Sequence, residues 1–262
     1  NLLRNINRFM EILFRLTVHQ SPLVKQRVCQ NFVTLLKLRK DLIMTQIKKI
    51  IQYMITATQD EDRQVGLEAC EFWVQFLDIS YIEDEERIQI LQDFFPTLVP
   101  MLVHCTMYTP DDLAILGKDC MSDAGSKTES CRDDDIASEL TGDSSDFSES
   151  EIPDEAKDLN PEDDADETQG WTLRKCAALA IDNLSKRFGA EMFIHMQPIM
   201  DKYLQPDRSW VERESIILCL GAMARGNEEV LGPYMAKIIP FLMQETESPY
   251  PAVRSTTFWT LS

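Results

Sequence analysis

The sequence predicts an all-α superhelical solenoid of stacked helix pairs, with a long disordered acidic loop inserted in one pair. Three observations carry this expectation. Five segments align without gaps on an apolar anchor residue, namely Val24, Val65, Leu173, Val211 and Val253. Four residues after each anchor, and again after eight and eleven, a further small or apolar side chain recurs, which is one face of an α-helix. A net charge of −17, of the −18 of the whole chain, falls in one stretch between the second and third anchors, Asp111 to Gln169.

In chain order, the first repeat (1–40) sets Ile12 and Leu13 on an opening helix and Val24, Val28, Phe32 and Leu35 on the anchor helix, with Ser21-Pro22 as its start signal. The second (41–80) repeats the arrangement with Tyr53 and Met54, then Asp60 to Asp62, then Val65, Ala69, Trp73 and Phe76. The third (83–188) opens on Pro100-Met101-Leu102, but its anchor residues Leu173, Ala177, Ile181 and Leu184 come 60 residues later than the spacing of the other repeats requires. The fourth (190–226) restores that spacing with Pro198, Ile199 and Met200, the start signals Asp207 and Ser209, and Val211, Ser215, Cys219 and Ala222. The fifth (230–262) reads Pro240, Phe241 and Leu242, then Ser248-Pro249, then Val253, Thr257 and Leu261. Undisturbed anchors lie 41, 38 and 42 residues apart, the period of HEAT and armadillo repeats at about 40 to 47. The prolines inside three of the first helices are expected to kink them, and the final helix, whose apolar pattern still runs at Thr260-Leu261-Ser262, reads as cut from a longer protein.

The inserted stretch, Asp111 to Gln169, holds 21 of the 44 acidic residues and only Lys118, Lys127, Arg132 and Lys157 of the 26 basic ones. Its longest acidic runs are Asp133-Asp134-Asp135 and Glu162-Asp163-Asp164, the latter followed by Asp166 and Glu167. Eight serines and few apolar residues leave it too little surface to bury to offset the entropy of ordering. Such a chain repels nucleic acid and anionic lipid, so its partners are expected to be proteins with basic patches rather than nucleic acid or membrane. No apolar run is long enough to cross a membrane, the longest being Ile216 to Ala224. Seven cysteines with no CxxC pair fit reduced thiols, four of them at helix core positions.

A second stripe on the anchor helices, at +3, +6, +7 and +10, is expected to face the inner side of the solenoid. It is largely polar at first (Arg27, Gln30, Asn31, Thr34; Glu68, Glu71, Phe72, Gln75) and turns apolar toward the C-terminus (Glu214, Ile217, Leu218, Gly221; Thr256, Trp259, Thr260). Apolar residues on a solvent face suggest a peptide groove, flanked by Asp182 and Glu214 and so suited to a basic, hydrophobic peptide. The alternative is that helix rotation tucks Ile217, Leu218 and Trp259 into the core.

The segments Gln20-Ser21-Pro22-Leu23-Val24-Lys25-Gln26-Arg27-Val28-Cys29-Gln30, Leu67-Glu68-Ala69-Cys70-Glu71-Phe72-Trp73, Trp171-Thr172-Leu173-Arg174-Lys175-Cys176, Val253-Arg254-Ser255 and Phe258-Trp259-Thr260-Leu261-Ser262 resemble those of the transportins, nuclear import receptors of the karyopherin β class. The resemblance implies a receptor shuttling between cytoplasm and nucleus. It implies cargo with basic and hydrophobic proline-tyrosine signals on the inner face, nucleoporins as further partners, and cargo release when GTP-bound Ran engages the acidic loop. By the same resemblance Trp259, Leu218 and Asp182 match a Trp, Leu and Asp of the cargo pocket, and Thr256 stands where that pocket has an Ile. The loop departs from the family in being diluted with serine.

No catalytic, cofactor or metal signature is present. Gly125-Ser126-Lys127-Thr128 lacks the adjacent Gly-Lys of a phosphate loop, and His19, His104 and His195 are isolated. We therefore expect no enzyme. A HEAT scaffold outside transport and an acidic histone chaperone-like binder are the alternatives from other functional classes.

Overall fold

The computed structural model describes residues 5–77, 85–116, 171–225 and 227–262, and these form helices with no strand among them. In order they are α1 (Ile6–Leu16), α2 (Pro22–Leu38), α3 (Lys40–Thr45), α4 (Ile47–Thr58), α5 (Arg63–Phe76), α6 (Glu85–Gln92) and α7 (Phe95–Cys105). Then follow α8 (Pro110–Leu116), α9 (Leu173–Tyr203), α10 (Trp210–Ala224), α11 (Glu228–Leu231), a 3-10 turn (Gly232–Tyr234), α12 (Met235–Glu245) and α13 (Pro251–Leu261).

The anchor helices α2, α5, α9, α10 and α13 lie side by side in chain order, and α1, α4, α7 and α12 pack behind α2, α5, α9 and α13 respectively. This is the two-layered HEAT solenoid that the period of the sequence requires. Its core is built from the anchor stripe: Phe32, Trp73, Ile181 and Cys219, each eight residues past an anchor, are fully buried. The fifth member, Leu261, is 39% exposed, because it sits on the last turn of α13, where no described helix covers it. Trp73 Nε1 donates to Thr58 Oγ1 at 3.0 Å, which satisfies its one polar atom inside the core.

Helix starts follow local capping chemistry. The Asp62 carboxylate accepts from the Gln64 and Val65 amides, Thr172 accepts from the Lys175 amide, and Ser209 and Glu212 form a reciprocal capping box. At α13 the first-turn proline is Pro251, not Pro249, and Tyr250 occupies the cap. Pro100, Pro198 and Pro240 lie inside helices that continue through them. The break in α9 comes instead at Phe188 (φ −129°, ψ 36°), ten residues before Pro198, where the chain turns from the anchor row into the outer layer.

Cys29, Cys70, Cys105, Cys176 and Cys219 are buried free thiols, one more core cysteine than the spacing suggests. Burial pushes the Cys29 and Cys219 thiols up to about 12, so they remain protonated and unreactive.

The acidic stretch does not begin at Asp111 as composition implies. Asp111 and Asp112 lie in the first turn of α8. The Asp112 carboxylate accepts from the Thr109 amide at 2.8 Å and hydroxyl at 2.6 Å, and pairs with Arg63 on α5 at 2.6 Å. These short-range partners, not the charge of the segment, decide its local structure. Asp133, Asp134, Asp135, Glu162, Asp163, Asp164, Asp166 and Glu167, and the Gly125 to Thr128 stretch, lie outside the described residues.

Burial raises the Asp112 carboxyl, but the Thr109 hydrogen bonds and Arg63 outweigh it and hold it below the usual Asp range. A lowered folded-state value stabilises the fold above the unfolded pKa of about 3.9, and that stabilisation is lost as pH falls through the folded-state value. Asp112→Ala is expected to cost about 1 kcal/mol at pH 7, for the hydrogen bonds to Thr109 and the pair with Arg63 that it removes. Urea denaturation at pH 7 and again near pH 2.5 checks this, and the difference from wild type should shrink at the lower pH.

Candidate functional site

Where α9, α10 and α13 lie side by side, a cleft of about 410 Å³ opens between them, lined by Asp182, Gly221, Ala222, Ala224, Arg225, Trp259, Thr260 and Ser262. Trp259, half-buried, packs on Leu218 and Ala178 in a small apolar cluster set apart from the main core. Gly221 makes this possible: a Cβ there would sit 2.8 Å from Thr260 Oγ1 and 3.0 Å from Trp259 Cε3. Thr260 Oγ1 donates to the Ile217 carbonyl at 3.0 Å, which fixes the last turn of α13 against α10.

Asp182 is 5% exposed and accepts from Lys186 Nζ at 2.7 Å, one turn on along α9. Burial raises its carboxyl above the usual Asp range, only partly offset by Lys186 and Arg225. The cleft thus offers an aromatic wall, a partly desolvated carboxylate and a guanidinium. Such a set can offer apolar contact and hydrogen bonds to a bound chain.

Of the four site residues predicted from sequence, Trp259 and Asp182 line this cleft, and Leu218 lies beneath Trp259. Thr256 is turned the other way, its hydroxyl donating to Glu214 Oε1 at 2.5 Å inside the protein. Two further expectations are corrected. Ile217 is fully buried in the main core. Glu214, expected to place negative charge beside the groove, is 0% exposed and ion-paired to Arg174 of α9, which binds it through both guanidinium nitrogens with Nη1–Oε2 at 2.8 Å. Arg225, Ala224 and Ser262 are lining residues that periodicity does not reveal, because they lie at helix ends outside the regular stripe.

Arg174 is itself held on three sides. It donates to the Thr106 carbonyl after α7, and its guanidinium carbon lies 4.1 Å from the Tyr108 ring centroid. Tyr108 meets Trp210 at 5.9 Å, and Trp210 stacks on Tyr250 at 5.1 Å. Beside this line, Thr106 Oγ1 and Ser215 Oγ share a hydrogen bond at 2.7 Å, and Ser215 donates to the Val103 carbonyl at 3.1 Å. Among the described residues no three His, Cys, Asp or Glu side chains are grouped to hold a metal.

A row of helix pairs with a cleft on the free side of its anchor helices defines a HEAT-repeat protein, and a HEAT-like repeat family matches residues 210–262. The chain is a homologue of the transportins, also named importin β-2, along its whole length. It is 34% identical over its full length to Transportin-1 of Mus musculus and 33% to Transportin of Dictyostelium discoideum. It spans 28% and 31% of the length of these relatives. A solved structure of Kap95p with RanGDP, in which Kap95p binding induces the Ran switch loops to adopt the GTP-bound conformation, superposes on 99% of the chain and 26% of Kap95p. It does so with a TM-score of 0.64 at 12% identity, so it shares the fold.

Gly221→Ala forces Trp259 and Thr260 to move, and we expect a loss of about 1 to 3 kcal/mol, as overpacking costs. Pairing it with Trp259→Ala should recover part of that loss by removing the ring, while the Thr260 hydroxyl still lies against the new methyl. Chemical denaturation of the single and double variants checks it, and additive losses would contradict the contact.

Proposed function

We propose that this chain is a cargo-binding portion of a nuclear import receptor, with the Trp259 cleft taking the proline-tyrosine signal of cargo. The single observation that supports this reading best is the conjunction of transportin homology along the whole chain with an aromatic cleft open to solvent on the anchor row. In this reading Trp259, backed by the buried Leu218, offers apolar surface to the proline and tyrosine, and Asp182 accepts a hydrogen bond from the tyrosine hydroxyl or a basic neighbour. Thr256 acts beneath the cleft by holding Glu214 to α13. Ran and nucleoporins are further partners, and the receptor shuttles between cytoplasm and nucleus. The acidic segment, Asp133 to Asp135 and Glu162 to Glu167 included, competes with basic cargo when GTP-bound Ran engages the receptor. A HEAT scaffold outside transport would bind its partners without regard to Ran or GTP, and a histone chaperone-like binder would carry its affinity in the acidic segment alone.

An aromatic in a desolvated pocket is a typical hot spot, worth about 2 kcal/mol or more on truncation. Trp259→Ala is expected to weaken binding of a fluorescent proline-tyrosine peptide accordingly, read by anisotropy, with little change in melting temperature. Unchanged affinity per folded molecule would sink the assignment.

Replacing residues 117–170 by a short Gly-Ser linker is expected to leave peptide binding intact but slow its release by GTP-loaded Ran in stopped-flow. The difference should shrink in salt, because the Debye length falls from about 10 Å at 0.1 M to about 3 Å at 1 M. Equal release rates at low salt would remove the acidic segment from the mechanism.

A further inference from the structure

A second cleft, of about 480 Å³, lies on the same free side of the row, where α2, α5 and the start of α9 meet. Val33 and Leu67 supply its apolar surface, Trp171 an indole, and Glu68 and Glu71 two carboxylates. Trp171 Nε1 donates to Glu71 Oε1, which fixes the indole beside the carboxylate. Glu68 Oε1 accepts from Gln30 Nε2 at 2.5 Å and faces Gln26 Nε2 at 3.5 Å. Neither carboxylate has a cationic partner among the described residues, in contrast to Asp60, Asp112, Asp182, Glu214 and Glu245, each of which is ion-paired. Lys37 also lines the cleft, so with two carboxylates against one ammonium its charge stays negative.

We propose that this cleft binds an arginine side chain of an extended peptide segment. A guanidinium is planar, stacks on an indole and donates in a fork to carboxylates, whereas an ammonium offers only a point charge. Charge-assisted hydrogen bonds of this kind are roughly twice as strong as neutral ones. An indole held by one of two unpaired carboxylates meets both requirements in a single cavity. The assignment stands independently of the proline-tyrosine reading, since no residue of the Trp259 cleft takes part.

The test uses the whole chain and a fluorescein-labelled peptide, Gly-Gly-Arg-Gly-Arg-Gly, with citrulline and lysine versions, in anisotropy titrations at 0.1 M salt. Citrulline keeps the shape and removes the charge. Binding of the arginine peptide is expected to weaken about tenfold or more in Glu68→Gln/Glu71→Gln and with citrulline, and less with lysine, in line with the worth of charge-assisted bonds. The Gln replacements keep an acceptor oxygen for both Gln30 and Trp171, so the melting temperature should hold. Trp171→Phe should weaken arginine more than lysine, and Trp259→Ala should change nothing. The proposal is overturned if the peptide fails to bind, if citrulline binds as well, or if Glu68→Gln/Glu71→Gln leaves affinity unchanged. The last result would place the binding on the acidic segment 117–170, and loss of binding in Trp259→Ala would place it in the other cleft.

Discussion

The buried pair of Arg174 and Glu214 is the constraint on which the C-terminal half of the molecule depends. Both are nearly or wholly excluded from water, and removing either leaves the other as an uncompensated buried charge. The pair joins consecutive anchor helices, α9 and α10. Arg174 reaches back to the Thr106 carbonyl and the Tyr108 ring, and Glu214 reaches forward to Thr256 of α13. Thr106 and Leu173 are separated in sequence by the acidic insertion, so this network closes the repeat across it. Orientation of the row is thereby set by directional bonds, where apolar packing alone would tolerate some sliding.

The Trp259 cleft follows from that orientation. Thr256 bonded to Glu214 and Thr260 bonded to the Ile217 carbonyl set the rotation of α13 on α10. With that rotation the Trp259 ring lands on Leu218 and over Gly221, and its remaining surface faces Asp182 and Arg225. A mixed apolar and charged wall of this kind is kept open because no larger side chain fits at Gly221. The pair is therefore structural, and the residues that line the cleft lie one layer above it.

The fold was legible because burial in a solenoid repeats with the helix. Phe32, Trp73, Ile181 and Cys219 stand at one offset and all reach the core. What the pattern could not carry is pairing between distant polar residues. Glu214 at a +3 position reads as solvent-facing, and only the location of Arg174, 40 residues earlier, makes it interior. Ser215 likewise looks like a weak core residue until Thr106 and the Val103 carbonyl are found beside it. At Asp112 composition misled: charge density said insertion, while the Thr109-x-x-Asp112 capping pattern said helix, and the local bonds decided. Trp259 was within reach of sequence since it stands at +6 on the second stripe, and Asp182, at +9 beside that stripe, through the family resemblance, but the cleft at Trp171 was not, because its indole precedes the anchor helix and meets Glu71 only through the packing of α5 on α9.

The central claim, that a buried ion pair fixes this row across the insertion, is tested most directly by a double-mutant cycle. Arg174→Met, Glu214→Leu and the double variant would be compared by chemical denaturation, with hydrogen exchange reporting on α10 and α13. Each single variant should lose about 3 to 5 kcal/mol by stranding its partner, and the double variant, with apolar groups in both places, should regain most of the loss. Single losses below about 1 kcal/mol, as for an exposed pair, or a double variant whose loss is the sum of the two, would contradict it.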